Sequence, residues 1–489
     1  MSKPIRVRLA SARIFRRAAT GCWLILAGWG LNAKAQTLTT LYSFNGSPDG
    51  KSPLGTLMQG SDGNFYGTTS RGGNTNIYFN GYGTVFQISS NGIFTNLYVF
   101  ASSPNDGQNP EAGLLQASDG NFYGTANQGG TYGAGIMFRI SSSGSYTNFY
   151  SFRGLSGPNY PEAGLVQGSD GSFYGTTYGG NGAVFRINPN GILTILHSFG
   201  LPKDGITPTA GVVQGSDGNF YGTTPYGGVG GGLGFGCIFR VSPTGSYTNP
   251  YVLGSSPYTD GANPFGGLVQ GSDGNFYGTT EKGGGHGIGT VFQITPSGNY
   301  MNLYTFGSVP NDGYYPTAGL VQGSDGNFYG TTGHGGTSKS GTVFRISMSG
   351  NYTNLYSFGS SPGDGSIPYA GLIQASDGSF YGTTQYGGTS GNCYQGCGTV
   401  FKLTVPLDPP SYPINQITGI QLADTNVILN ILSVAGETYQ LQFSGSMQPT
   451  NWVNVDGVSV TNSIGAMLTL TNFGGAVGPQ GFYRFDITP

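Results

Sequence analysis

The sequence predicts an all-β protein, a seven-bladed β-propeller followed by a small β-sandwich, and three observations lead to this prediction. A segment close to Gly-Ser-Asp-Gly-Asn-Phe-Tyr-Gly-Thr-Thr occurs seven times between residues 61 and 384, at intervals of 47 to 57 residues. Each repeat contains four short runs of β-branched and aromatic residues bounded by Gly, Asn, Asp or Ser. No window has apolar residues at helical spacing, and 91 glycines disfavour helices.

The first 35 residues are predicted to be an export signal rather than part of the fold. They combine a basic head that ends at Arg17, an apolar run over residues 22–29 that is too short to span a membrane, and the small residues Ala33 and Ala35. We expect cleavage near Ala35 and a protein that is secreted or held at the cell surface, without membrane insertion. The leader takes seven of the 19 Lys and Arg, which leaves 12 basic and 21 acidic residues and argues against nucleic acid as a partner.

One repeat contains four predicted strands that together make a propeller blade. In the sixth copy they lie within Ala318 to Gln322, Asn327 to Thr332, Gly341 to Ile346 and Asn354 to Phe358. The Ser-Asp-Gly-Asn segment joins the first two strands, because Asp-Gly suits the positive φ angles of a tight hairpin. Four antiparallel strands in about 50 residues is the period of a propeller blade.

The two ends of the repeat array predict how the ring closes. The aromatic fourth strand occurs before the first hairpin, near Thr37 to Phe44, and is missing after the seventh blade. The N-terminal strand should therefore complete blade seven, which removes the free sheet edges. We predict a propeller over residues 36–405, a proline-rich linker over 406–413 and a β-sandwich over 414–489 with Trp452 in its core.

The repeated elements Leu-Tyr-Ser-Phe, Asp-Gly-x-x-Pro, Ser-Asp-Gly-Asn-Phe-Tyr-Gly-Thr-Thr and Gly-Thr-Val-Phe-Arg-Ile resemble the GloVer tandem-repeat family of bacterial exported proteins. This resemblance covers about three quarters of the chain and implies secretion or surface display. Family members often end in an anchoring signal, whereas this sequence ends Phe-Asp-Ile-Thr-Pro. The tail is similar to the β-domains found at the C-termini of large exported bacterial proteins. Neither resemblance implies a reaction or a ligand.

Thirteen of the 21 acidic residues are aspartates in two repeated positions, the Ser-Asp-Gly hairpins and the Asp-Gly-x-x-Pro crossovers between blades. They could ligate calcium, which binds carboxylate and carbonyl oxygens in turns. We favour a turn-forming role, because a calcium loop normally brings several carboxylates together and each of these aspartates stands alone. We accordingly predict no metal and no cofactor.

Recognition is expected on the face that carries the crossovers and the glycine-rich loops between the second and third strands, because these loops vary most between blades. The uniform hairpins on the opposite face are expected to be scaffold. Two of the candidate residues, His286 and His334, occupy comparable loops of adjacent blades and leave a zinc pair open as an alternative. The candidate binding residues are Arg71, Tyr132, Tyr178, Tyr226, His286, His334 and Tyr386.

Three cysteines follow the predicted leader. Cys393 and Cys397 flank a short turn, and in an oxidising compartment we expect a local disulfide between them, with metal binding as the alternative. Cys237 is expected to be a small apolar residue in a strand. His197 stands where other blades have Tyr and is expected to be packed.

Catalysis would require residues that break the repeat, and Glu111 and Glu162 are the acid pair that does so, in neighbouring blades. A polar residue recurs in every third strand, as Arg186 does in blade three, and is expected to pair with backbone or Asp. The sequence favours a non-enzymatic module that binds an extracellular glycan, another polymer or a protein. A structural surface protein and a polysaccharide hydrolase or lyase remain alternatives, and the oligomeric state stays open.

Overall fold

The structure is a computed structural model that describes residues 36–405 except 74–80, 104, 155–156, 202, 229–233 and 255–258, together with six strands between residues 417 and 488. The predicted export signal and the proline-rich linker lie outside the described residues. Within the part of the chain that is described, no helix is long and apolar enough to cross a membrane.

Seven four-stranded antiparallel sheets form the blades of a β-propeller, which confirms the predicted fold. The inner strands are Met58–Gln59, Leu115–Gln116, Val166–Gln167, Val213–Gln214, Val269–Gln270, Val321–Gln322 and Ile373–Gln374. The second strands are Phe65–Thr69, Phe122–Ala126, Phe173–Thr177, Phe220–Thr224, Phe276–Thr280, Phe328–Thr332 and Phe380–Thr384. The third strands are Thr84–Ile88, Ile136–Ile140, Ala183–Ile187, Cys237–Val241, Thr290–Ile294, Thr342–Ile346 and Thr399–Thr404. The outer strands are Phe94–Val99, Tyr146–Ser151, Leu193–Ser198, Tyr247–Val252, Tyr300–Thr305, Tyr352–Ser357 and Thr37–Ser43.

The ring closes as the sequence predicts, because the N-terminal strand Thr37–Ser43 pairs antiparallel with the third strand of blade seven, Thr399–Thr404. Phe44, which follows the closing strand, is fully buried in a core that blade seven shares with blade one. The closing strand leaves blade seven with the same four strands as the other blades and so removes an unpaired edge.

The inner strands are shorter than predicted, two residues instead of five. The Ala-Gly segment that precedes each inner strand lies against its neighbours around the axis. A Cβ atom on Gly113, for example, would lie 2.3 Å from the carbonyl oxygen of Thr56 in the preceding blade. This close approach of backbones explains why the repeat has small residues at this point.

Adjacent blades are joined by two rings of repeated contacts. The Tyr of each Phe-Tyr-Gly-Thr-Thr strand stacks on the Phe of the next blade, as in Tyr329 and Phe380, whose centroids are 4.0 Å apart. The inner-strand glutamine of each blade accepts a hydrogen bond from a serine backbone N–H of the preceding blade. Ser376 and Gln59 continue this ring across the closure at 2.9 Å. The most repeated side chains therefore hold the ring together.

The repeated aspartates act in turns, as the sequence favours. In the sixth hairpin, Asp325 accepts hydrogen bonds from the backbone of Asn327 at 3.1 Å and from the Tyr329 hydroxyl at 2.7 Å. In the crossovers, Asp312 accepts from the Tyr304 hydroxyl at 2.7 Å and from backbone N–H groups. Each aspartate thereby ties a turn to a strand of its own blade.

The tail contains six described strands in two antiparallel three-stranded sheets. The first sheet comprises Ile417–Ala423, Asn426–Leu432 and Met467–Asn472, and the second comprises Thr438–Ser444, Val453–Thr461 and Phe482–Thr488. The β-sandwich stays a prediction, and Trp452 lies outside the described residues.

Candidate functional site

The crossovers and the glycine-rich loops lie on one face of the propeller, which we call the crossover face. Among the described residues there are five places where two residues of a crossover pair with two residues of the glycine-rich loop in the next blade. Gly313–Tyr314, for example, pairs antiparallel with His334–Gly335. These short pairs are not apparent from the sequence, because each has only two residues.

A cavity of about 430 Å³ lies at the axis on the crossover face, and we call it the central funnel. Its wall is formed by the Ala-Gly segments of the blades, which are Gly-Thr in blade one and Gly-Gly in blade five, by the residue that precedes each segment, and by two glycine-rich loops. A second cavity of about 580 Å³ shares Thr56, Gly113 and Gly164 with the funnel and extends to the inner-strand glutamines. The two cavities therefore adjoin each other at the axis of the propeller.

The repeat is broken at the wall of the central funnel. The residue before the Ala-Gly segment differs in size, charge or polarity between blades, whereas the segment itself hardly changes. The seven residues at this position are Leu54, Glu111, Glu162, Thr209, Phe265, Thr317 and Tyr369. The uniform ring of blades thus supports an asymmetric set of side chains, as binding of a specific ligand requires.

Glu111 and Glu162 are brought together by Asn127, the first residue after the second strand of blade two. The Asn127 side-chain amide donates to Glu162 Oε1 at 2.9 Å and also interacts with the Glu111 carboxyl. Burial and the neighbouring Glu111 carboxylate raise the pKa of Glu162 to about 7, against the opposing effect of the Asn127 hydrogen bond. Glu162 can therefore carry a proton near neutral pH beside the Glu111 carboxyl.

Arg71 lies close enough to Glu111 to influence its ionisation. Burial raises the pKa of Glu111, while the Arg71 charge and the hydrogen bond of Asn127 act in the opposite direction. Glu281 also acts on the funnel wall, since burial, the Glu281 charge and the Glu111–Glu162 pair together raise the pKa of the Tyr369 hydroxyl. Acidic groups thus act on the funnel from blades two, three and five.

Aromatic side chains form the other part of the funnel wall. Tyr178 and Tyr369 are 39% and 42% exposed, which leaves ring surface available to a ligand. Tyr226 and Phe265 lie edge to face with centroids 5.9 Å apart. Rings beside carboxylates offer flat apolar surfaces together with hydrogen-bond acceptors.

Of the predicted binding residues, Tyr178 and Tyr226 line the central funnel, and Arg71 acts on Glu111. The others do not line the funnel. Their positions are on the glycine-rich loops. These residues are Tyr132, His286, His334 and Tyr386. Tyr132 is 54% exposed and lies near the Arg153 guanidinium, 5.8 Å from its ring centroid.

Metal ligands are not clustered in the described part of the chain, where no group of three or more His, Cys, Asp or Glu could hold an ion. His334 packs against Tyr314 and Tyr315 rather than against acidic side chains. His197 occupies its Tyr position in the same manner as its counterparts, with Nε2 2.9 Å from Asp204 and its ring stacked on Tyr247.

Other predicted residues have local roles in the structure. Arg186 forms an ion pair with the hairpin Asp170 at 2.8 Å, with both side chains more than a third exposed. A disulfide joins Cys393 to Cys397 in the loop of blade seven, and Cys237 is buried in a third strand.

The sequence did not single out Phe265 and Tyr369 of the funnel wall, or Asn127 beside it, as candidates. Phe265 and Tyr369 share a repeat position with Glu111 and Glu162, so an alignment of the seven repeats at that column carries the signal. Asn127 has a weaker signal, because it follows a strand end where other blades have Ser, Tyr, Pro, Glu, Gly or Gln.

Comparison with known families gives three overlapping matches to the Gloeobacter/Verrucomicrobia repeat, over residues 29–182, 150–326 and 229–408. These matches cover the propeller. No curated protein sequence matches the chain.

Solved structures similar to the chain are propellers of low sequence identity. The extracellular domain of the candidate hybrid two-component system BT3049 of B. thetaiotaomicron is 12% identical with a TM-score of 0.50, and that of the candidate one-component system BT4673 is 10% identical with a TM-score of 0.48. In both cases the match covers 92% of this chain but only 57% of the length of the solved structure's chain. A candidate glucose dehydrogenase from Thermus thermophilus is 15% identical over 76% of this chain and 100% of its own, with a TM-score of 0.38. At these identities the similarity concerns the fold alone.

Proposed function

The chain belongs to the Gloeobacter/Verrucomicrobia repeat family, and we propose that it is an exported binding module whose central funnel holds part of an extracellular glycan. The observation that carries this proposal is the break of the repeat at the funnel wall. Seven nearly identical blades place five kinds of side chain at one repeat position around one cavity, among them Glu111, Glu162, Phe265 and Tyr369. A purely structural ring has no physical requirement for such differences at its axis.

The chemistry of the wall favours a glycan over an apolar ligand. Aromatic rings such as Tyr178 and Tyr369 can pack against the apolar face of a sugar ring. The carboxylates of Glu111 and Glu162 can accept hydrogen bonds from hydroxyl groups, and the Asn127 amide fixes their orientation. An opening of about 430 Å³ has room for one or two sugar units.

A glycan array and calorimetry with the purified protein test the proposal. Tyr369→Ala should weaken glycan binding about tenfold or more, because this ring lines the funnel. Tyr132→Ala is the matched control, since Tyr132 is also an exposed ring but lies on a glycine-rich loop and does not line the funnel. The absence of glycan binding, together with ordered self-assembly of the protein, would instead favour a structural surface protein.

A second candidate function is polysaccharide cleavage, and the Glu111–Glu162 pair favours it. Enzymes that cleave a glycosidic bond usually use two carboxyl groups, one as the acid and one as the base or nucleophile. The pKa of about 7 for Glu162 suits the role of the acid. New reducing ends in a polysaccharide digest, lost in Glu162→Gln, would support this function. Binding without cleavage of any polymer that the array identifies would support the binding module alone.

A further inference from the structure

The charges around the central funnel are unbalanced toward the acidic side. Among the described residues that line it, two are glutamates and none is Lys, Arg or His. The glutamates lie in adjacent blades and share the amide of Asn127. Acidic side chains that are partly buried without full counter-charge raise the energy of the empty site, and a cationic ligand group would relieve that cost.

The charged groups near the glutamate pair can be assigned individually. Arg71 acts on Glu111 and offsets part of its charge. The charge of Glu281 also acts on Tyr369, and Glu281 forms an ion pair with Lys282 at 3.8 Å. Glu162 has no such compensation. Its pKa is affected by burial, by the Glu111 charge and by the neutral amide of Asn127, and no cation is among these causes.

The aromatic part of the wall also suits a cation. The faces of Tyr178, Tyr226 and Tyr369 carry the negative part of the ring quadrupole, which attracts an ammonium group within about 6 Å. An ammonium group has three N–H donors, enough to bond both carboxylates and a further acceptor. The carboxylates and the aromatic rings around this cavity therefore both favour a ligand with a cationic group.

We propose, on the basis of the binding function above, that the central funnel selects an amino sugar whose free ammonium group binds between Glu111 and Glu162. The sugar ring packs against the funnel tyrosines. The ammonium group supplies the positive counter-charge that Glu162 does not have in the free protein. A neutral or N-acetylated sugar keeps the ring contact but loses the ion pair. The preference for the free amine therefore separates this proposal from glycan binding in general.

Binding of the ammonium should displace a proton. Because the pKa of Glu162 lies at about 7, much of this carboxyl is protonated in the free protein below neutral pH. A cation between the glutamates favours the fully ionised pair and lowers that pKa. At about pH 6, calorimetry in buffers of different ionisation enthalpy should show release of roughly half to one proton per ligand bound.

Three tetrasaccharides with the same linkage provide the test: a glucosamine tetramer, its fully N-acetylated form and cellotetraose. At about pH 6 we expect the glucosamine tetramer to bind roughly tenfold tighter than the other two. Glu162→Gln should reduce this preference to about twofold and abolish proton release, because the glutamine amide can still accept a hydrogen bond but carries no charge. Thermal melting verifies that the variant is folded.

A charge variant of opposite sign sharpens the test. Arg71→Ala removes the cation that offsets Glu111 and should strengthen binding of the glucosamine tetramer severalfold. Lys339→Ala is the control, because it removes an exposed cation from another glycine-rich loop outside the funnel and should leave binding unchanged. A fold defect would not produce opposite effects in the Glu162 and Arg71 variants.

The outcomes separate the two proposals. Equal affinity for the three tetrasaccharides, or tighter binding of the N-acetylated form, would overturn the amino-sugar inference and leave the glycan-binding function in place. Binding of none of them, and of no other glycan, would overturn both.

Discussion

The side-chain amide of Asn127 donates to Glu162 Oε1 at 2.9 Å and thereby links blade two to blade three beside the central funnel. Both residues depart from the repeat, whereas most contacts between blades involve repeated residues. The bond also maintains a costly arrangement, since it holds Glu162 near the carboxyl of Glu111. A contact that keeps two carboxyl groups close at a cost in free energy, between residues that depart from the repeat, is typical of a functional site rather than of a scaffold.

Stability should depend on the ionisation of Glu162. Its pKa rises from 4.5 to about 7 on folding, so the folded protein binds more protons than the unfolded chain between these values. The free energy of unfolding should therefore fall as the pH rises from 4.5 to about 7 and then level off, with a contribution of about 1 to 2 kcal/mol after allowance for solvent screening.

Glu162→Gln isolates this contribution. The variant should be as stable as the wild type below about pH 4.5 and more stable above about pH 7, as measured by urea unfolding across the range. Equal pH profiles for both proteins would contradict the assigned environment of Glu162.

The glutamine ring should contribute to stability at each blade boundary. Gln270 accepts from the backbone N–H of Ser216 at 2.9 Å and donates to the carbonyl of Gly274 at 2.9 Å. Gln270→Leu leaves both groups without these partners and should lower the free energy of unfolding by about 1 to 2 kcal/mol. Gln128→Leu, at an exposed side chain, should change it by less than about 0.5 kcal/mol. Similar losses in both variants would argue against a specific role for the ring.

His197 should be replaceable by tyrosine. In five other blades a Tyr hydroxyl donates to the crossover aspartate at 2.7 to 2.9 Å, and His197 makes the corresponding contact to Asp204. His197→Tyr should therefore keep the stability within about 1 kcal/mol, whereas His197→Ala should cost about 2 to 3 kcal/mol through the lost contact to Asp204 and the lost stacking on Tyr247. Urea unfolding of the two variants measures the difference, and an equal loss in both would show that the contact to Asp204 is not what the position requires.

Calcium should not stabilise the propeller. The oxygen atoms of hairpin aspartates such as Asp325 already accept hydrogen bonds from Asn327 and Tyr329, and each aspartate lies alone in its turn. The melting temperature should be the same in calcium chloride and in EDTA. A saturable increase with calcium would indicate that the repeated aspartates bind the ion.

The blades could be predicted from the sequence because their signals are local and occur seven times. Each repeat contains the Asp-Gly hairpin and the strand that in blade six begins with Phe328 and Tyr329. These features recur with little change, so the assignment of strands in one repeat can be compared with the other six. Ring closure followed from the missing outer strand of blade seven, which the strand Thr37–Ser43 supplies. The two-residue pairs of the crossover face could not be predicted, because pairing so short depends on the position of the neighbouring blade.

The sequence by itself determined the number of blades, the order of strands within each blade and the face on which the loops vary, since hydrophobic alternation and turn chemistry act over a few residues. Only the tertiary structure decided which variable residues meet. Closing the ring brings the segments before the inner strands together at the axis, so that Glu111, Phe265 and Tyr369, far apart in the chain, line one cavity, whereas His286 and Tyr386 do not line it. Proximity at the axis is a property of the closed ring, and no single repeat contains it.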